Sequence, residues 1–243
     1  MTKISFISKH LTFIKKTGMW LTDKFLLALQ DYFYLADRDY PERGFLKLIG
    51  DRYGLSEFQR TILYRGVTSK KTAENRYSKL ISPDKIRGEE LWIDGFNVLL
   101  TISSYLQGSP VFIAMDGFLR DASHFRGRFP KSDLIVRSFQ LLIKTLLTCI
   151  PGSICIYLDE NAKTFTDMDV LFGENNLIND LNLEIIFCSK VDNVLVKKNV
   201  GLICTSDTGI IDAGNCKIVD LARLTLLQHF DRGFVEIFTL IEK

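Results

Sequence analysis

Asp94, Asp116, Asp159 and Asp207 each stand at, or one to two residues beyond, the end of a short apolar run. The runs are Leu91-Trp92-Ile93, Val111 to Met115, Ser153 to Leu158 and Leu202 to Cys204. Runs of this length, bounded by turn residues, read as buried strands; strands alternating with helical stretches fold as a mostly parallel sheet covered on both faces. The carboxyl ends of such strands lie along one edge, where ligands bind. Acids far apart in the chain are therefore expected to meet. Asp192 follows the strand Leu183 to Cys188, and Asp212 lies in the first turn of the helix after Asp207; both are expected to aim at the same crevice.

Carboxylates gathered in one place repel and hold each other's protons, so the group calls for a cation. The three histidines, His10, His124 and His229, are far apart in the sequence, which argues against a His/Cys zinc site and a Ser-His-Asp triad. Oxygen donors without His or Cys point to Mg²⁺ or Mn²⁺, and the reaction such an ion supports is phosphodiester hydrolysis. Arg120, Arg126 and Arg128 lie in the segment 108–128 and could clamp a phosphate, guanidinium groups binding it bidentately. Asp116 and Asp121 could be further ligands or hold Arg120 in an ion pair; the plainer alternative is a surface hairpin with solvated charges. Taken singly, each aspartate also reads as a helix N-cap.

Several of these segments resemble a known superfamily. Trp92-Ile93-Asp94-Gly95-Phe96-Asn97-Val98-Leu99 resembles the first strand of PIN-like nucleases, especially their NYN branch, in which an aspartate and a nearby asparagine follow that strand. Ile203-Cys204-Thr205-Ser206-Asp207-Thr208-Gly209-Ile210-Ile211-Asp212 resembles their late motif, a small hydroxyl residue and an aspartate before a helix. Tyr157-Leu158-Asp159 resembles the middle acidic strand end, and Val191-Asp192-Asn193-Val194-Leu195 the acid that opens the preceding helix. The resemblance covers roughly residues 91–225 and implies a PIN-like three-layer α/β/α fold with a mostly parallel central sheet. It implies a metal-dependent ribonuclease with Asp94, Asp159, Asp207 and Asp212 as catalytic ligands of Mg²⁺ or Mn²⁺, and Asp116 and Asp192 as further ligands. Asn97, Thr205 and Ser206 would then contact a ligand carboxylate or the RNA. Two features depart from the pattern: the insertion 108–128, and the absence of an obvious glutamate on the long helix, where Asp133 and Gln140 stand instead.

The elements that must position these groups follow from composition. The chain has 243 residues, 47% of them hydrophobic and 25% charged, with a net charge of +2. Residues 1–90 carry 17 Lys and Arg against 11 Asp and Glu, whereas residues 91–243 carry 14 against 18. A basic piece joined to an acidic piece suggests two units. We expect an N-terminal arm over 1–22, a small all-helical basic domain over 23–88 and the α/β domain over 89–243. Phe25, Leu26, Leu29, Tyr32 and Phe33 recur at helical spacing, and Ser56 with Gln59 forms a capping box. Arg52, Arg60, Arg65, Lys70, Lys71, Arg76 and Lys79 stud the helices and read either as a nucleic-acid surface or as a solvated face. Arg52-Tyr53-Gly54-Leu55-Ser56, with Gln59-Arg60 and Leu63 to Val67, resembles the family called domain of unknown function 434, in which such a region precedes a PIN-like portion.

Five cysteines without a CxxC pair read as buried free thiols of a reducing cytoplasm. No run of 18 apolar residues occurs, so no membrane partner is expected. Two rivals to the ribonuclease remain at this point. One is a non-catalytic RNA-binding module with a degenerate acidic site. The other is a homo-oligomer or assembly protein whose Phe234-Val235-Glu236-Ile237-Phe238 strand pairs with another chain.

Overall fold

The structure, a computed structural model, describes residues 20–122, 132–160, 181–231 and 233–241. Most of the arm over 1–22, Arg126 and Arg128 lie outside them. Elements are numbered here over the described residues.

Four short helices come first: α1 (Asp23–Ala36), α2 (Glu42–Arg52), α3 (Glu57–Gly66) and α4 (Lys70–Tyr77). Their ends obey local chemistry. Thr22 caps α1 through the Phe25 N–H. The Ser56/Gln59 capping box opens α3, and the Ser69 hydroxyl accepts from Thr72 N–H to open α4. On α1 the residues Phe25, Ala28, Leu29 and Tyr32 form the buried stripe.

A 3₁₀ turn over Pro83–Ile86 then leads into β1 (Glu90–Asp94). After it come α5 (Gly95–Leu106), β2 (Val111–Ile113), β3 (Leu119–Asp121), α6 (Ser132–Cys149), β4 (Ser153–Asp159) and β5 (Leu183–Cys188). The chain continues through α7 (Val191–Val196), β6 (Leu202–Cys204), α8 (Thr208–Ala213), β7 (Lys217–Val219), α9 (Leu221–His229), β8 (Val235–Glu236) and α10 (Ile237–Ile241). Helix α5 is not foreseen from the apolar runs. It starts where Asp94 caps it, and its buried Val98, Leu99 and Ile102 recur at helical spacing.

The main sheet has the order β5-β4-β1-β6-β7, and every pair in it is parallel. Helices α5, α6 and α9 cover one face, packing Val98, Phe139, Leu142 and Leu226 against Leu91, Ile93 and Ile156. Helices α7 and α8 cover the other, with Leu195 and Ile210 against Tyr157, Ile203 and Ile218. The architecture is thus three-layer α/β/α. Strand order reverses beside β1, which puts a crevice at the carboxyl ends of β1, β4 and β6.

A second sheet, β3-β2-β8, lies apart from the first. It is the insertion hairpin joined by the C-terminal strand, Phe112 pairing with Val235 and Ile113 with Glu236. The C-terminal strand therefore pairs with β2 of its own chain. Residues 235–236 are strand and 237–241 helix, because Ile237 and Leu240 find a buried seat among the N-terminal helices.

That seat is part of a shared core. Phe25, Leu29, Tyr32, Ile49, Ile62 and Leu63 of the helices pack with Phe112, Ala114, Met115, Val235, Ile237 and Leu240. Helix α3 comes so near β2 that a Cβ built on Gly66 would stand 2.8 Å from the Phe112 ring. Beyond α4 the chain also extends the main sheet: Ile81 N–H donates to Ile218 O and Ile218 N–H to Lys79 O, which covers the outer edge of β7.

Sharing predicts that the two regions unfold together. Phe112→Ala should cost about 3–5 kcal/mol in urea denaturation. Trp20, in the helical core, and Trp92, in the sheet, should report one midpoint when each is followed alone in a single-tryptophan variant. Two separated midpoints would contradict the shared core.

Candidate functional site

The carboxyl edge of the sheet is organised by two short motifs facing each other across β1 and β6. Asp94 ends β1, is 7% exposed, and caps α5 by accepting from Asn97 N–H at Oδ1, 3.2 Å. Its Oδ2 accepts from the Thr205 hydroxyl at 2.9 Å. Thr205 Oγ1 in turn accepts from Asp207 N–H. Asn97 Oδ1 accepts from both the N–H and the hydroxyl of Ser206, at 2.8 and 3.0 Å. Asn97, Thr205 and Ser206 thus lock the strand-end loop of β6 onto the first turn of α5. Gly95 allows the fit, since a Cβ there would meet Leu158 Cδ2 at 2.6 Å and the Tyr157 carbonyl at 2.8 Å.

Asp207 caps α8, its Oδ1 accepting from Gly209 and Ile210 N–H; its Oδ2 makes no hydrogen bond among the described residues. Asp192 sits exposed in the first turn of α7, and Asp159 ends β4. These four groups share one field. Burial pushes the Asp94 carboxyl up to about 7, the Asp207 and Asp192 charges adding to the rise while Thr205 and Asn97 N–H oppose it. Asp192 is also raised, by desolvation first and then by Asp207 and Asp159.

Asp94, Asp159 and Asp207 thus stand at or just beyond the carboxyl ends of the neighbouring strands β1, β4 and β6, and Asp192 lies in the first turn of α7 after β5. Asp116 and Asp212 are taken by arginines. Asp212 receives a bidentate pair from Arg76, with Nε and Nη2 each at 2.7 Å. Asp116 follows β2, which belongs to the second sheet, and it is 1% exposed. It accepts Arg120 Nη1 and Nη2 at 2.8 Å each, and Arg76 Nη1 at 3.3 Å.

Arg120 does not reach solvent to clamp a phosphate. It is 3% exposed, and it donates to the carbonyls of Ser206 and Arg65 as well as to Asp116. One guanidinium thus joins the strand-end loop, helix α3 and the hairpin. The expected ion pair holds for Asp116, which pairs with Arg120 in a buried setting; Asp121 pairs with Arg65 of helix α3 instead.

Three groups that sequence reasoning placed elsewhere or passed over hold this region. Arg76 and Lys79, read as part of a basic face, turn inward; Lys79 Nζ donates to the carbonyls of Ile211 and Gly214 at the end of α8. Asp220 directly follows β7, the same signal that marked Asp94. Its carboxyl accepts from Leu119 and Arg223 N–H, and burial pushes it up to about 6.

Beside Asp207 opens a cavity of about 300 Å³ between the helical layer and the β6–α8 loop. Tyr64, Arg65, Thr68 and Arg76 line one side, and Ser206 and Asp207 the other. As for a divalent ion, the donor chemistry fits: four carboxylates, with the Thr205 hydroxyl and the Asn97 amide beside them. Among the described residues, however, no three His, Cys, Asp or Glu side chains already stand at spacing that would hold one ion. Loading would require carboxylates to rotate, most cheaply the exposed Asp192.

Fold and site together define a parallel α/β protein with an acidic sheet edge, roofed by a helical layer that shares its core. The chain belongs to the family described as Domain of unknown function (DUF5616), which matches residues 83–224. The family described as Protein of unknown function (DUF434) matches residues 24–79, the helical region. A Methanocaldococcus jannaschii protein described as uncharacterized protein MJ0935 is 27% identical over 195 residues, covering 80% of this chain and 92% of that one. No solved structure matches the chain. No helix among the described residues is long and apolar enough to cross a membrane.

Two outcomes follow from the buried groups. The unfolded chain releases aspartate protons near pH 4, whereas the folded chain keeps those of Asp220 and Asp94 until about pH 6 and 7. Stability should therefore fall as pH rises through that window when no divalent ion is present. Asp94→Asn should remove more than half of the fall between pH 5 and 8, roughly 2–3 kcal/mol, measured by urea denaturation; an unchanged slope would refute the assignment. Separately, Arg120→Ala leaves the buried Asp116 with only its longer contact to Arg76 and should cost about 3–5 kcal/mol, while the double variant Arg120→Met/Asp116→Leu should recover most of it. A loss under about 1 kcal/mol in the single variant would show that the pair does not hold the fold.

Proposed function

We propose that this chain is a PIN-like, metal-dependent ribonuclease acting at the edge formed by Asp94, Asp159, Asp192 and Asp207. The observation that carries the reading is that Asp94, Asp159 and Asp207 leave the carboxyl ends of three neighbouring parallel strands at one edge of the sheet. Carboxylates so placed oppose one another's ionisation, and a divalent cation removes that opposition. The order of the motifs along the chain, from Asp94 with Asn97 to Thr205-Ser206-Asp207, supports the same reading.

In this scheme Asp94 and Asp207, with Asp159 or Asp192, hold the ion. When bound, Mg²⁺ or Mn²⁺ polarises the phosphoryl oxygen and lowers the pKa of an attacking water. Thr205 keeps Asp94 oriented by its hydroxyl, and Asn97 keeps the β6–α8 loop in register by taking both donors of Ser206. Asp212 stands apart from the ion set because Arg76 occupies both of its oxygens.

A second reading, a non-catalytic RNA-binding module, is favoured by the fact that Asp94 and Asp207 already satisfy local helix amides. Incubation of labelled single-stranded RNA with Mn²⁺ separates the two. Wild type should cleave. Asp94→Asn and Asp207→Asn should each lower kcat/KM about a hundredfold or more, equivalent to roughly 3 kcal/mol of transition-state stabilisation. Asp212→Asn should have a much smaller effect. RNA bound but left intact by wild type would sink the nuclease reading in favour of the module.

A further inference from the structure

We propose that the cavity between the helical layer and the β6–α8 loop receives one nucleotide of single-stranded RNA, its base against Tyr64 and its phosphate against Arg65 and Arg76. The placement of that nucleotide beside a cleaved bond rests on the ribonuclease reading; the binding itself does not.

The cavity is contiguous with the acidic edge, because Asp207 lines both. At about 300 Å³ it lies at the lower end of ligand-pocket sizes and has room for a nucleotide but not for a base pair. A base must therefore enter unstacked from its neighbours, the state in which proteins usually engage single-stranded RNA.

The wall offers what an unstacked nucleotide needs. Tyr64 is 53% exposed on the cavity rim, a large apolar ring left in water with a face for a base. Arg65 spends only Nη1 on Asp121, leaving Nε and Nη2 without a partner among the described residues. Arg76 keeps unused N–H groups after pairing with Asp212 and Asp116.

Carboxylates interleave with these cations along the wall, so a bare anion gains little there. A nucleotide matches the alternation: its phosphate faces the arginines and a base-edge amino group faces Glu42. Glu42 accepts the Tyr32 hydroxyl at Oε1, and its Oε2 makes no hydrogen bond among the described residues.

The test is fluorescence anisotropy of a labelled five-nucleotide single-stranded RNA in EDTA, where no cleavage intervenes. Tyr64→Ala should raise Kd about tenfold and Tyr64→Phe should stay within about twofold of wild type, as expected for loss and retention of one stacked base. The melting temperature of both variants should match wild type, since Tyr64 lies at the surface. An unchanged Kd in folded Tyr64→Ala, or no RNA binding by wild type, would overturn the proposal. The two readings separate cleanly. Tyr64-dependent binding without Mn²⁺-dependent cleavage removes the nuclease and keeps the cavity; cleavage with Kd and KM indifferent to Tyr64 removes the cavity and keeps the nuclease.

Discussion

A guanidinium buried out of reach of water must find its acceptors inside the protein, and Arg120 finds them in three different parts of the chain. Asp116 neutralises it, the Arg65 carbonyl ties it to helix α3, and the Ser206 carbonyl ties it to the loop that carries Asp207. Taking such a pair from water costs several kcal/mol, offset only when the remaining N–H groups are also bonded. The arrangement therefore tolerates little movement of any one partner. Arg76 extends it from α4 to Asp116 and to Asp212 on α8. The helical layer is in this way fastened to the loop at the sheet edge by charged hydrogen bonds and to the second sheet by the shared apolar core.

The sheet edge itself obeys the opposite logic. Among the described residues no arginine pairs with Asp94, Asp192 or Asp207. Asp94 is buried and accepts two hydrogen bonds, and burial, with a smaller push from Asp207 and Asp192, lifts its carboxyl to about 7. A protein that only needed helix caps could have met the need with serine or asparagine at no electrostatic cost. Carboxylates at these strand ends make physical sense when a cation completes them. Asp116 and Asp212 are neutralised by arginines, and among the described residues Asp94, Asp192 and Asp207 are not, which sets the proposed site apart from the scaffold.

Much of this was legible in the sequence. Apolar runs ending in aspartate located β1, β4 and β6, and the parallel sheet followed from their alternation with helices. The capping box at Ser56 and Gln59 marked α3 to the residue. What sequence could not show is partnership at long range. Asp116 carries the same local signal as Asp94, yet its strand joins the other sheet and faces Arg120. Asp220 carries the signal too, and its carboxyl is spent on the Leu119 amide. Arg76 and Lys79 read as surface charge because nothing in α4 reveals that its face meets α8, some 130 residues on. The reach of a strand-end aspartate is local information; the identity of what it meets is tertiary.

On the proposed reading, distant strand ends share one divalent cation. A crystal structure grown with Mn²⁺ and read by its anomalous scattering tests this most directly. The account predicts a peak at the carboxyl edge with oxygens of Asp94, Asp207 and one of Asp159 or Asp192 within about 2.0–2.6 Å. A well-ordered edge with no peak at saturating Mn²⁺, Asp94 and Asp207 still bonded only to their helix amides and Thr205, would contradict it.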